Sequence, residues 1–433
     1  MCAKFLVPLL NHVKSDVNDV YEVLHPLQAL CQVVGLAPYS FTRRSDGSKT
    51  YIRSPLSIIG YAILFALYIS AIVVRICFKE DLSDEAIERY LDNLQEYVIA
   101  LIVFVAITFG WIFSRKVIEV FKNVDEIDKE FKDLSVWMPY RRCYGVLILN
   151  IALIIVVQFI VFIWIWLRRE MDEDVLLTLL NLVIILPFLL LTHLTELQYV
   201  QYIHLLKYRY AILNEHLEVL YREHKTREGW ILTTNSDPDV TKGILKSAET
   251  ISNPISVVEK VVTIHLKLSD AANLINTSFS VQLLFRITIA FTSIVAALYT
   301  IGVNFSSTED EQETLDVDVQ FTAWAASSAF ELFLIVWIAS STCEEANKCP
   351  RLMHKIRNAT KNSQLQDTIE MYSLQMYHNR LQLYVCGLFP LDYTLLHTIV
   401  AGVTTYLVIL IQFRSAGMAS KKRLQCNRTG SIQ

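Results

Sequence analysis

Seven stretches of this chain are each long and apolar enough to cross a bilayer, and no other feature narrows its possible folds so far. A membrane helix needs about 20 mostly apolar residues, and residues 56–78, 97–114, 144–167, 175–195, 279–303, 321–342 and 394–413 meet that need. The third stretch, YGVLILNIALIIVVQFIVFIWIWL, carries no charge, and the first carries only Arg75, near its end. Hydrocarbon offers no partner to a backbone amide, so such segments must satisfy their own hydrogen bonds as helices. Composition agrees, with 53% hydrophobic and 19% charged residues and only 12 glycines and 10 prolines in 433 positions. A chain this apolar and this poor in turn residues is not a soluble enzyme, a disordered chain or a disulfide scaffold. The expected fold class is all-α, a polytopic membrane protein.

Sidedness follows from lysine and arginine. With the amino terminus inside, segments 1–55, 115–143, 207–278 and 344–393 hold 28 basic residues, and loops 79–96, 168–174 and 304–320 hold 4. Without 207–278, which is too long for the rule, 19 still face 4. Seven spans then place the amino end in the cytoplasm and the carboxyl end outside. Arg414, Lys421, Lys422, Arg423 and Arg428 in the tail argue the other way, but earlier helices usually set topology. The start, MCAKFLVPLLNHVKSD, has too short an apolar run for a signal peptide, so insertion falls to later segments. The outer loops carry 17 acidic residues. They read either as solvated surface or as a vestibule that concentrates cations.

The excluded chemistries are as informative. Net charge is −4 and no basic block occurs, so nucleic acid is not a partner. The eight cysteines lack zinc-site spacing, and neither metal nor cofactor is expected. No GxSxG, HExxH or paired-aspartate motif lies at membrane depth, so the chain is read as not an enzyme. Ionisable residues within spans are costly and need partners. Glu331, mid-span, is expected to meet a partner such as Arg286. His193 and Glu196, one helical turn apart, are expected to brace the bundle.

The last span ends Thr405-Tyr406, five aliphatic residues, then Gln412-Phe413. This resembles, at every position, the carboxyl-terminal signature of insect gustatory receptors, relatives of insect odorant receptors. Cys386-Gly387-Leu388-Phe389 and Leu391-Asp392 resemble the segment that precedes that family's pore helix, and Gly35-Leu36-Ala37-Pro38-Tyr39 resembles its motif before the first span. The resemblance implies a ligand-gated, non-selective cation channel in the plasma membrane, assembled as a homotetramer or as a heterotetramer with other gustatory receptors. In it the last helix of each subunit lines the pore, with Gln412 and Phe413 at the gate; Tyr406, Gly387 and Phe389 are signature positions.

The resemblance implies a domain order as well. Residues 1–55 are a cytoplasmic segment, and 56–206 hold the first four spans and the ligand bundle. Residues 207–278 form a cytoplasmic anchor, 279–343 the fifth and sixth spans, 344–393 a second anchor segment, 394–413 the pore helix and 414–433 an outer tail. The ligand is a small tastant, a plant bitter compound or a sugar, that drives acceptance or avoidance of food. The family's pocket position points to Trp164, Trp166, Tyr299, Gln320, Trp324 and Ser327, although aromatics at that depth also form an ordinary interfacial belt. The sixth span lacks the glutamine and tryptophan three apart that a fructose-type pocket would carry.

Helical spacing is compatible with the pore. Ala401, Thr405, Val408 and Gln412 recur every three or four positions and form one stripe. The same stripe would also suit a helix–helix interface; the signature favours the pore, with Phe413 gating by dewetting. Four glycosylation acceptors occur, and only Asn304 and Asn427 would face outward, while Asn276 and Asn358 would stay bare. A G-protein-coupled receptor is the alternative. It would place its amino terminus outside and carry an Asn-Pro-x-x-Tyr sequence in the last span, where this chain has no proline. A channel subunit that needs a co-receptor is the other.

Overall fold

The computed structural model of the chain describes residues 17–43, 49–53, 55–77, 86–167, 175–227, 254–304 and 311–429; near the ends of several long helices it describes the backbone alone. The chain begins with a short helix α1 (Val20–Val33), capped by Asp19, whose side chain accepts from the Glu22 amide at 2.8 Å. It ends where Gly35 turns left-handed (φ 79°). The Leu36 amide reaches Cys31 O (2.7 Å) and the Gly35 amide reaches Gln32 O (3.2 Å), the paired bonds of a Schellman stop. Pro38 then prevents the helix from resuming. The Gly35–Tyr39 motif is therefore structural, turning the chain into the strand pair β1 (Ser40–Arg43) and β2 (Lys49–Ile52).

Seven long helices follow or close the chain. They are α2 (Pro55–Cys77), α3 (Ala86–Asp133), α4 (Tyr140–Leu167), α5 (Val175–Arg227), α6 (Pro254–Asn304), α7 (Glu311–Ala346) and, at the end, α10 (Tyr393–Thr429). Between the last two lie α8 (Cys349–Ala359), α9 (Ser363–His378) and a hairpin of β3 (Tyr384–Val385) with β4 (Phe389–Pro390). Each of the seven predicted spans falls within one of the long helices, apart from residue 78, which lies outside the described residues. Among the described residues five helical stretches are long and apolar enough to cross a membrane: Ala100–Asp133, Tyr140–Ile163, Pro254–Gly302, Phe321–Ala359 and Tyr393–Gln412; Ser57–Ala71 is a shorter apolar stretch. The chain is a multi-pass membrane protein.

The elements differ from the sequence expectation in two respects. Two short hairpins accompany the helices, because Gly35-x-x-Pro and Cys386-Gly387 impose turns that no helix can absorb. The helices also overrun the predicted spans. The 48-residue α3 continues through Arg115 and beyond, since 115–133 keeps apolar residues on one face. The backbone of α10 stays helical to Thr429 because nothing after Phe413 breaks it, so the expected boundary at 413 separates no elements.

Tight packing extends from the apolar spans into the helix extensions beyond them. Ile127, Phe131, Leu147, Ile203, Leu206, Tyr210, Leu213, Leu217, Val261, Ile264, Leu268 and Ala271 are all essentially inaccessible. They bring together α3, α4, α5 and α6 where these helices have become amphipathic. Tyr21, Tyr39, Tyr51, Phe121, Tyr202 and Phe279 add a chain of ring contacts 5.0–6.4 Å apart that docks α1 and the first hairpin onto them.

Candidate functional site

The path to α10 is built by the β3–β4 hairpin. Three residues, Cys386–Leu388, join its strands; Cys386 (φ 50°) and Gly387 (φ 71°) are both left-handed, and the Leu388 amide closes the turn on Val385 O at 2.8 Å. Three bonds fix the turn to α6. Asn276 Nδ2 donates to Tyr384 O (2.6 Å), Ser280 Oγ to the same oxygen (3.4 Å), and the Cys386 amide donates to Ser280 Oγ (2.5 Å). Phe389 is half-buried at the end of the turn. Asp392 then caps α10, accepting from the Thr394 amide at 2.9 Å. Gly387→Val should cost about 1–2 kcal/mol because a β-branched residue resists positive φ, while Gly387→Asn should stay close to the parent. Thermal unfolding of the purified chain reads both.

One face of α10 packs on α6 and α7. Leu395 and Val403 are buried along it, and Leu396 and Ile399 are half-buried. Gly402 lets Phe291 of α6 approach: a Cβ on that glycine would stand 3.0 Å from the ring. One turn on, Tyr406 meets the same ring edge-on, centroids 5.7 Å apart at 81°. Ala401, Thr405, Val408 and Gln412 all stand exposed on the opposite side of the helix. The stripe thus stands on the face of α10 turned away from its packing on α6 and α7. The Phe413 side chain lies outside the described residues.

At membrane depth α5, α6 and α7 are joined by charge. Arg286 on α6 pairs with both Glu196 on α5 and Glu331 on α7. His193 Nε2 lies 3.0 Å from Glu331 Oε1, and its Nδ1 is 2.6 Å from Leu189 O. Ser327 donates to Glu331 at 3.3 Å. The four ionisable residues singled out in sequence thus form a single cluster. One arginine shared by two carboxylates ties three helices where an unpaired charge would be expensive. Nearby, Trp324 Nε1 donates to Ser293 Oγ at 3.1 Å across the α6–α7 seam, and Tyr299 is half-buried on α6. The side chains of Trp164, Trp166, Gln320, Asn304 and Asn427 lie outside the described residues. Asn276 is buried and spent on the hairpin, which leaves no room for a glycan; Asn358 is exposed.

Sequence reasoning missed the main polar element of the packed core. Arg209 on α5 forms a fork on Asp128 of α3, Nε to Oδ1 at 2.8 Å and Nη2 to Oδ2 at 2.6 Å, with side chains 2% and 4% exposed. Tyr140 donates to the same carboxylate at 2.7 Å, and Arg209 Nη1 donates to Leu205 O at 2.9 Å. Burial alone would weaken the guanidinium's hold on its proton, but the Asp128 charge outweighs it and the net shift is upward. Close by, burial pushes His216 down to about 4. No sequence signal marks the pair, because each partner sits on an amphipathic extension that carries many other charges. Among the described residues no group of three His, Cys, Asp or Glu converges to hold a metal.

Comparison with known proteins bears on this geometry. A sequence profile described as 7tm chemosensory receptor matches residues 24–417. Gustatory receptor 28a of Drosophila melanogaster is 23% identical over 92% of this chain and 93% of its own length. Gustatory receptor 28b of the same species is 29% identical, over 38% of this chain and 35% of its own length. Among solved structures, the insect olfactory receptor OR5 from Machilis hrabei superposes over 90% of this chain and 97% of its own, with a TM-score of 0.59 and 12% identity; its complex with eugenol gives 0.58 and 14%. At such identities the likeness is one of fold.

Proposed function

Because the chain belongs to the 7tm chemosensory receptor family, we propose that it is a gustatory receptor of the plasma membrane that works as a ligand-gated, non-selective cation channel. Four copies, alike or mixed with other gustatory receptors, set their α10 helices around a common axis, amino ends in the cytoplasm and carboxyl ends outside. The observation that carries this reading is the stripe of Ala401, Thr405, Val408 and Gln412, all exposed on the face of α10 opposite its packing on α6 and α7. A small, moderately polar stripe free of fixed charge suits a wet, cation-conducting path better than a lipid face. Phe413 follows Gln412 directly and supplies the apolar constriction.

A small tastant, a plant bitter compound or a sugar, enters among the outer halves of α3 to α7, where Tyr299, Trp324 and Ser327 lie. It shifts α6 against α5 and α7, and Phe291 transmits the shift to Gly402 and Tyr406. The experiment is a tastant panel on cells that express this chain alone, read by calcium entry with G-protein signalling blocked. Calcium entry that persists under the block is expected. A response abolished by the block would instead support a G-protein-coupled receptor, and one that requires co-expression of a second family member would make this chain a co-receptor-dependent subunit.

A further inference from the structure

The apolar run of α3 ends at Ser114, and cations gather around that end. Arg53, which leads into α2, folds its guanidinium over the Trp111 ring (5.4 Å to the centroid) and donates to both Trp111 O and Ser114 Oγ. Its Nε is buried with no acceptor among the described residues. Arg115 is the next residue on α3 and is exposed; Lys116 lays its ammonium 5.1 Å from the Phe113 ring. Arg115 directly follows Ser114, to which Arg53 donates, so the two guanidinium groups share one end of the α3 apolar run; burial, and after it the charge of Arg115, weakens the hold of Arg53 on its proton. No acid lies on α2, and none lies on α3 from Tyr97 to Ser114. The first is Glu119, exposed one turn beyond Arg115. Trp111 itself is 43% exposed and Ile112 50%. An outward-facing tryptophan at the end of an apolar run marks the level of lipid headgroups.

We infer that Arg53, Trp111 and Arg115 form a binding site for the phosphate of an anionic phospholipid. The physical case has three parts. Two guanidinium groups without a carboxylate between them leave net positive charge at headgroup depth, where an anion relieves their repulsion. Guanidinium forks match phosphate geometry, and Arg115 presents an exposed one beside the charge of Arg53. The exposed Ile112 and Trp111 offer apolar surface to the upper acyl chain. Such a lipid would bridge the start of α2 to α3. The site rests on the chain spanning a membrane, which family membership carries, and not on its being a channel.

The test uses the full purified chain in nanodiscs of phosphatidylcholine, with and without phosphatidylserine, read by thermal unfolding. Phosphatidylserine is expected to raise the melting temperature by about 3 °C, since a ligand that prefers the folded state stabilises it. High salt should shrink the rise. Arg115→Gln, on an exposed side chain, should fold normally yet lose at least half of the rise; Arg53→Lys should lose it as well, because an ammonium cannot make the fork. Adding glycerol 3-phosphate to phosphatidylcholine discs separates a lipid from a free phosphate. The same rise from the soluble anion would overturn the lipid assignment, as would an Arg115→Gln chain that responds like the parent.

Discussion

Arg209→Met is expected to cost the folded chain about 3–5 kcal/mol, the usual penalty for leaving one partner of a buried ion pair alone. Asp128 would stay at 3% exposure with Tyr140 its remaining donor among the described residues. The melting temperature should fall by about 5–10 °C, and surface expression should drop with it. The informative control is the double variant Arg209→Met with Asp128→Asn. It removes both charges and leaves an amide oxygen for the Tyr140 hydroxyl, so most of the loss should return. A single variant that unfolds like the parent would mean that the fork adds nothing. A double variant no better than the single would place the cost in lost packing of the arginine stem instead.

Charge substitution at Gln412 should act on current rather than on stability. In a fourfold assembly Gln412→Lys adds four positive charges at one level of the path, and whole-cell cation current is expected to fall at least about tenfold, equivalent to a barrier of about 1.4 kcal/mol. Gln412→Glu should preserve or raise that current, because a carboxylate ring attracts cations. Surface labelling of both variants should match the parent, since the residue is exposed. The opposite signs are the decisive part: a lipid-facing position would suffer alike from either charge. Equal effects of Lys and Glu would remove α10 from the pore.

Much of this architecture is legible in the sequence because the bilayer imposes a rule that residues obey locally. Apolar length marks where the apolar stretches of α2 to α7 and α10 lie, though not how far the helices run beyond them, and the cost of a lone intramembrane charge makes a partner for Glu331 readable from the chain itself. The clustering of Arg286 with Glu196 as well as Glu331 is less legible, since it requires knowing that α5 and α7 flank α6. Arg209 and Asp128 are unreadable for a different reason. They are 81 residues apart, on helix extensions full of charge, where any one residue faces water more often than core. The β3–β4 hairpin has two-residue strands, too short for any periodicity, and Asn276 reads in sequence only as a glycan acceptor. Its bond to Tyr384 becomes visible once α6 and the turn are side by side. On α10 the spacing defines the stripe, but only the packing of Leu395, Gly402 and Val403 shows which way it points.

The lengths of the helices carry a mechanical consequence. At 1.5 Å per residue the 53 residues of α5 and the 51 of α6 make rods of about 80 Å, against a hydrocarbon layer of about 30 Å. On the topology proposed above, each rod has its ends in different compartments and works as a lever that pivots near its midpoint. A tilt of about 5° about the midpoint moves each end by roughly 3–4 Å, comparable to the shifts that switch packed interfaces. A molecule that leans on one end is therefore felt at the other by leverage alone. No diffusing messenger is needed between the two sides.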